Sequence, residues 1–484
     1  MSNNIKRKVL SGLVWTYFER VAAQLVSMLV TIILARILSP TEYGIISIVT
    51  IFTELANVIV VNGFGTALIQ KKDPTSKDYS TIFYANMGIT WLLYVILFFF
   101  APTIANFYNI PLLTPVLRVL GLQMPIAGIS SIQQAYISKR MEFRKFFFST
   151  IIGTIISAIV GIALAYAGFG VWALVAQLLT NRIIDTTILS FTSGWRLTKE
   201  FSSTDLKQMV SYSWKISASS FLITLWDNIR GLVVGKKYSA EDLAFYDKGR
   251  QFPHLVASNI NTSISKVLFP ALSEVQNDID HVLSMTRRAI KEGAYLLTPL
   301  LFGLAACGRS FVIVLLTEKW LPAVPYLQIM CLIFSLQPLQ TSSIQAMKAI
   351  GRSDVYFKLE VIKKIINFVI LIISLFAFND VLIVAIGALV SEIISTVINF
   401  PANKKLFHYT YAEQFSDLQS TLLMSVMMFI CVYFLGKVFE SAVLSLIVQI
   451  IAGGTIYILL SEMFKVESYL YTKKTIMEVL KRGK

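Results

Sequence analysis

The chain has 484 residues, 55% of them hydrophobic and 15% charged, with a formal net charge of +15 and a mean hydropathy of +0.67. A soluble domain carries about 25% charged residues, so too few charges remain here to solvate a globular surface. The cations sit in short loops between apolar runs, not on a stripe or an arm, which argues against a nucleic-acid-binding protein.

Apolar runs recur from Leu10 to Leu460, each with the roughly 20 residues needed to cross a hydrocarbon core. Hydropathy and turn residues predict helices over 10–37, 43–70, 79–105, 112–138, 144–167 and 170–193. Eight more follow over 208–234, 244–272, 287–316, 322–348, 355–378, 381–403, 417–437 and 441–463. The breaks are turn-like, as at Leu38-Ser39-Pro40, Gly168-Phe169-Gly170 and Gly351-Arg352-Ser353, where Gly, Pro and Ser punctuate the chain. The short basic N-terminus (Lys6, Arg7, Lys8) leads into an apolar run too long for a signal peptide and without a small-residue cleavage site. The fold class is therefore all-α: a polytopic membrane protein of about fourteen helices.

Orientation follows from the Lys/Arg bias. With a cytoplasmic N-terminus, the inner loops hold Lys71, Lys72 and Lys77; Lys139, Arg140, Arg144 and Lys145; Arg196, Lys199 and Lys207; Arg287, Arg288 and Lys291; Lys348, Arg352 and Lys358; Lys404 and Lys405. The outer loops are nearly bare, with Arg36 and Arg118 in the first half, and the main exception is Lys236, Lys237, Lys248 and Arg250 between the seventh and eighth helices. Both termini are expected to be cytoplasmic.

A weak repeat relates Leu34-Ala35-Arg36 through Ser39 to Gly44 with Val234-Gly235-Lys236 through Ser239 to Ala244. Both stretches join an outgoing helix to a returning one, so the halves share an orientation, a design found among secondary transporters. The expected organisation is an N-terminal lobe of six helices over 1–196, a cytoplasmic linker over 197–207 and a pseudo-symmetric six-helix lobe over 208–408. Two appended helices over 409–464 and a basic tail over 465–484 complete it.

The turn residues carry a resemblance. Ala35-Arg36-Ile37-Leu38-Ser39-Pro40-Thr41-Glu42-Tyr43-Gly44, Ala67 to Asp73, Gly168-Phe169-Gly170-Val171-Trp172-Ala173-Leu174, Leu268-Phe269-Pro270-Ala271-Leu272-Ser273, Lys319-Trp320-Leu321-Pro322-Ala323 and Ala349 to Asp354 resemble the polysaccharide transporter branch of the MOP exporter superfamily. Wzx-type flippases and teichuronic-acid exporters belong to that branch. The similarity covers about residues 5 to 405. It implies a two-lobed, V-shaped bundle in a bacterial cytoplasmic membrane. The implied activity is flipping of polyprenyl-diphosphate-linked oligosaccharides by alternating access, for O-antigen, capsule, exopolysaccharide or teichuronic acid. Other polysaccharide-assembly membrane proteins are expected partners on the same ground, and no cofactor is expected.

A hydroxyl buried without a partner costs roughly 2–7 kcal/mol, and a naked charge far more, so a diphosphate-sugar headgroup needs a wet, cationic route. Ionisable residues inside spanning helices are functional candidates for that reason. These are Glu19 and Arg20 in the first helix, Glu54 in the second, Lys215, Asp227 and Arg230 in the seventh, and Lys266 in the eighth, with Arg250 at the outer mouth. By the family's lobe arrangement, helices 1, 2, 7 and 8 face the central cavity. Arg20, Lys215, Arg230, Lys266 and Arg250 are read as headgroup contacts, because guanidinium and ammonium groups match phosphate oxygens. Glu54, Asp227 and Glu19 are candidates for coupling a proton or cation. The competing reading is mutual neutralisation: Asp227 with Arg230, three apart on one face, and Glu19 or Glu54 with Arg20. Arg182 and Asp185 read as a locking pair, Lys363 and Lys364 as residues that snorkel to the interface; Glu392 has no assigned role.

Enzyme readings fare worse. A membrane glycosyltransferase or polymerase of the same pathway is the main alternative, but Asp278-Ile279-Asp280 sits in a short loop with no nucleotide-binding domain behind it. GLVVGK over residues 231–236 is one residue short of a Walker loop and ends a spanning helix. Cys307, Cys331 and Cys431 have no CxxC spacing, so neither a metal nor a disulfide framework is expected. A drug/cation antiporter of the same superfamily is the other alternative; the two appended helices and the cationic interior argue against it.

Overall fold

The computed structural model describes residues 3–471, 473 and 474, and the side chains of these except 3–14, 16, 17, 60–64, 208 and 212. The readings that rest on Lys6, Arg7, Lys8 and the tail beyond residue 474 fall outside the described side chains. Among the described residues all regular structure is helical. The order is α1 (Asn3–Ile37), α2 (Pro40–Gln70), α3 (Ser76–Tyr108), α4 (Leu113–Leu120), α5 (Gln123–Arg140), α6 (Arg144–Tyr166), α7 (Val171–Thr192), α8 (Ser203–Lys237) and α9 (Ala240–Glu274). Then come α10 (Ile279–Ala306), α11 (Gly308–Leu316), a 3-10 turn (Glu318–Ala323), α12 (Val324–Ser335), α13 (Gln337–Ala349), α14 (Ser353–Ala377), α15 (Val381–Phe407), α16 (Tyr411–Leu435) and α17 (Ala442–Met463).

Ten helical stretches among the described residues are long and apolar enough to cross a membrane. Helices α7, α8, α9 and α14 are of similar length, and each carries charges well inside its length. The fourth, ninth and tenth predicted helices are each broken, at Gly121-Leu122, at Cys307 and at Leu336. The physical reasons are local. Pro338 starts α13 at its first turn, where a missing N–H costs nothing, and Gly121 and Gly308 flank the other two breaks, where glycine tolerates a kink.

The chain divides into two compact units, residues 1–244 and 245–484, with the boundary inside α9. In the first, α6 packs along α7 and against α1, α5 packs against α2, α3 and α7, and α8 packs along α2. The α6 seam is a stripe of small residues: Ser149, Gly153, Ser157, Gly161 and Ala165 recur every fourth position, and all are buried. A Cβ on Gly161 would stand 2.8 Å from Gln177 Cβ, so the backbones approach closely. Lipid offers no hydrophobic drive for helix association, so close van der Waals contact and interhelical hydrogen bonds must supply it. Asn181 Nδ2 donates to Ser157 Oγ at 3.4 Å and to Thr154 Oγ1 at 3.5 Å across this seam.

The repeated stretches form equivalent corners. Ser39 caps α2 while the Glu42 carboxylate accepts the Ser39 N–H at 2.7 Å, and Ser239 caps α9 while donating its hydroxyl to Asp242 at 2.6 Å. Each cap satisfies orphan donors of a helix start. The two corners also meet: a Cβ on Gly44 would lie 1.7 Å from the Ala240 carbonyl oxygen, so only glycine fits there.

The segment read as a linker over 197–207 is fastened to α3, and from Ser203 it is already part of α8. Thr198 donates from N–H and hydroxyl to Ser80 Oγ at 3.0 and 2.9 Å, Ser202 N–H donates to Thr81 Oγ1 at 3.1 Å, and Tyr84 donates to the Thr198 carbonyl at 3.0 Å. Lys71 joins Asp78 at 2.7 Å and Asp205 at 3.4 Å. The Ser202 hydroxyl and the Lys71 ammonium hold the Asp205 carboxyl below the usual carboxylate range.

In the second unit, α10 is the central post, against α12, α13 and α16. Arg287 forks onto Asp417, Nε to Oδ2 at 2.7 Å and Nη2 to Oδ1 at 2.9 Å, and reaches Glu413 at 2.7 Å. Tyr409 donates to the same Asp417 at 2.7 Å. Bidentate guanidinium–carboxylate pairs are among the strong hydrogen bonds, and this one welds α16 to α10. On α17, Ser445, Gln449, Gly453, Tyr457 and Ser461 form a second buried four-residue stripe. Tyr457 donates to the Tyr295 carbonyl at 3.1 Å, and Tyr295 to Ser461 Oγ at 3.0 Å.

Candidate functional site

In the first unit the ionisable groups lie on α1, α2, α7 and α8. Glu19 and Arg20 are neighbours about 100° apart around α1. Glu19 is half-buried and accepts from Thr150 Oγ1 of α6 at 3.1 Å, whereas Arg20 is exposed. Arg20 forms no ion pair among the described residues, so Glu19 is not its neutralising partner. Arg182 and Asp185 stand side by side on α7 without a direct ion pair among the described residues, and Ser149 of α6 lies beside Asp185.

Helices α2 and α8 run antiparallel with a register fixed by three contacts. Ser217 Oγ donates to the Ile59 carbonyl at 3.4 Å, Gly231 meets Ile51, and Gly235 meets Ile48. Interpolating that register brings Glu54 level with the turn around Trp226, Asp227 and Asn228, with Arg230 one turn further along. Glu54 and Asp227 are exposed and both make contacts; Arg230 is half-buried and forms no ion pair among the described residues. Lys215 is exposed, nearer the start of α8, and likewise has no ion pair among the described residues.

In the second unit Lys266 is exposed and Arg250 half-buried, both within α9, and only Tyr238 and Ser239 separate α9 from α8, so Lys248 and Arg250 belong to the helix and not to an outer loop. Lys248, two residues before Arg250, is only 8% exposed, donating to Gln251 at 3.1 Å and lying 5.7 Å from the Trp320 ring. Lys363 is buried at 5% exposure and held by Glu360 at 3.1 Å, rather than snorkelling.

Sequence reasoning missed a polar vein in this unit. Gln340 Nε2 donates at 2.8 Å to both Glu392 and Thr396, which gives Glu392 an interhelical role, and Asn261 Nδ2 donates to Gln337 at 2.8 Å. Asn399 and Ser395 lie nearby in α15, buried at 1% and 3% exposure with side-chain atoms that meet no described partner. The signal was available: Gln, Asn and Ser recur at three- and four-residue spacing through otherwise apolar helices.

Ten helical stretches long and apolar enough to cross a membrane, with ionisable groups within the packed helices, mark a polytopic membrane protein among the described residues. The chain matches the family described as polysaccharide biosynthesis protein over residues 33–325, and it belongs to that family. Teichuronic acid biosynthesis protein TuaB of Bacillus subtilis (strain 168) is 27% identical over 73% of this chain and 74% of its own length. Lipopolysaccharide biosynthesis protein WzxC of Escherichia coli (strain K12) is 22% identical over 90% of this chain and 89% of its own. Among solved structures, the lipid II flippase MurJ in an inward closed conformation superposes with a TM-score of 0.73 at 16% identity, covering 94% of this chain and 98% of that one. The chain thus shares the fold of that structure.

Proposed function

We propose that the chain flips polyprenyl-diphosphate-linked oligosaccharides across a bacterial cytoplasmic membrane by alternating access, supplying units for a surface polysaccharide. The single observation that carries this reading is the set of cations on α1, α8 and α9, namely Arg20, Lys215, Arg230 and Lys266, that form no ion pair among the described residues. An unpaired charge inside a membrane span is costly, and a phosphate-bearing guest compensates it. The names of the relatives point to the same substrate class.

The diphosphate meets Arg20, Lys215 and Arg230 while the sugars stay in water and the polyprenyl chain stays in the bilayer. Glu19, Glu54 and Asp227 are carboxylates on α1, α2 and α8 and serve the coupling proton or cation. The Lys/Arg bias of the loops supports an orientation with both termini in the cytoplasm. Movement of the headgroup needs no bond to be made or broken, so the protein acts as a transporter and not an enzyme.

The test is a proteoliposome assay in which a fluorescent lipid-linked oligosaccharide becomes accessible to a membrane-impermeant quencher. The wild-type chain is expected to flip the label, and the combined Arg20→Ala, Lys215→Ala, Arg230→Ala variant to lose that activity while melting at the same temperature. Flipping unchanged in the triple variant would remove the site assignment, and no flipping by the wild type would remove the function.

A further inference from the structure

One pocket in the second unit lies apart from those cations. It has a volume of about 560 Å³ and is bounded by α16, by Lys291 of α10 and by the segment that follows α17. Ligand pockets generally span about 300–1,000 Å³, so the size suits a small guest or the head of a larger one. Along the α16 wall, Ser416, Ser420, Leu423 and Met427 line it at three- and four-residue intervals, which is one helix face. That face is polar for its first turn and apolar afterwards. Over 11 residues at 1.5 Å each the gradient runs about 16 Å along the helix, the span over which a membrane passes from headgroups to acyl chains. Ser420, Leu423 and Met427 are all exposed, so the wall is open to its surroundings.

At the polar end Lys291, Lys465 and Arg288 stand among Asp417, Glu467 and Glu292, and Glu292 is engaged by Ser468 and Arg288, so the ammonium left for an anion is that of Lys465. Asp417 also borders the pocket, but both its oxygens are already taken by the Arg287 fork and by Tyr409. Lys291 lies 3.4 Å from Asp417 and 3.0 Å from Glu467, which is itself 81% exposed and solvated. Lys465 stands at the rim as a second ammonium and makes no ion pair among the described residues. Arg288, against the Tyr471 ring at 3.8 Å, adds cationic charge to the same end of α10. Ser416, Gln419 and Ser420 form no side-chain hydrogen bond among the described residues, leaving donors for phosphate and glycerol oxygens.

We propose that this pocket is a binding site for an anionic membrane phospholipid. Its phosphate sits against Lys465, its glycerol along Ser416 and Ser420, and an acyl chain over Leu423 and Met427. Basic pockets between spanning helices recognise lipid headgroups by this chemistry. The site is separate from the proposed headgroup cations and does not depend on what the chain transports.

The experiment is native mass spectrometry of the full chain in detergent, with added phosphatidylglycerol, phosphatidylcholine or inorganic phosphate. Phosphatidylglycerol is expected to be retained in preference to phosphatidylcholine. Lys465→Ala should weaken that retention about fivefold, the effect of one lysine on an anionic lipid, and Ser420→Trp should fill the pocket and displace the lipid. Melting temperatures of both variants, at exposed positions, should match the wild type. Equal retention of the two lipids, or retention unchanged in both variants, would overturn the proposal. Displacement by millimolar inorganic phosphate would also overturn it, since the site would then serve a soluble anion. Preferential uptake of a polyprenyl phosphate over phosphatidylglycerol would overturn it in favour of a vestibule for the transported lipid.

Discussion

Two sets of cations in this chain are treated in opposite ways. On α10, Arg287 is held by two carboxylates and a tyrosine network, and on α14 Lys363 is buried against Glu360. On α1, α8 and α9, Arg20, Lys215, Arg230 and Lys266 have no such carboxylate among the described residues. Charge alone therefore does not mark function in a membrane protein. A paired charge joins helices, and an unpaired one inside a span asks for a ligand.

Breaking each set should give different phenotypes. The largest effect is expected from removing Arg20, Lys215 and Arg230 together. Each charged contact with the diphosphate contributes about 1.5–3 kcal/mol, so flipping in proteoliposomes should fall by more than about a hundredfold with an unchanged melting temperature. Next comes Arg287→Ala, which removes the fork from Asp417, at 4% side-chain exposure, and leaves it Tyr409 and the more distant Lys291. Loss of one partner of a buried pair costs about 3–5 kcal/mol, so the second unit should melt earlier and α16 should become protease-sensitive. Arg287→Lys keeps the charge but loses the fork, and a partial loss would confirm that geometry matters.

Smaller again is Gly44→Ala, whose Cβ would overlap the Ala240 carbonyl. Overpacking costs about 1–3 kcal/mol, readable as a lower melting temperature without loss of any charge. The smallest effect is expected at the exposed pair Arg352–Asp354, at 2.9 Å. Arg352 holds the Asp354 carboxyl at about 2. A depressed carboxylate adds stability above its unfolded value near 4, and loses it as pH falls toward 2. Asp354→Asn should therefore leave melting at pH 7 within error, because solvent screens an exposed pair. A large shift would break the distinction drawn between buried and exposed pairing.

Much of the architecture was legible in the residues. The Ser-x-x-acid pattern at Ser39 and Ser239 is a local signal with a local cause, and both corners formed as helix caps. The stripe Ser149, Gly153, Ser157, Gly161, Ala165 was equally visible as small residues at fixed spacing, although its partner helix was not. The site was half legible. Hydropathy reveals which charges lie at membrane depth, but not which way they point: Glu19 turns to Thr150 while Arg20, one residue on, is exposed. Broken helices escaped because Gly121 and Gly308 sit inside continuous apolar runs, where a single glycine permits a kink without requiring one.

Residues 193–205 look like a tether and behave as a strap. With Ser80, Thr81 and Lys71 gripping Thr198, Ser202 and Asp205, this crossing offers no slack to absorb motion. Conformational change must bend the polypeptide somewhere else, and an epitope inserted after Thr198 would rip a seam instead of lengthening a cord.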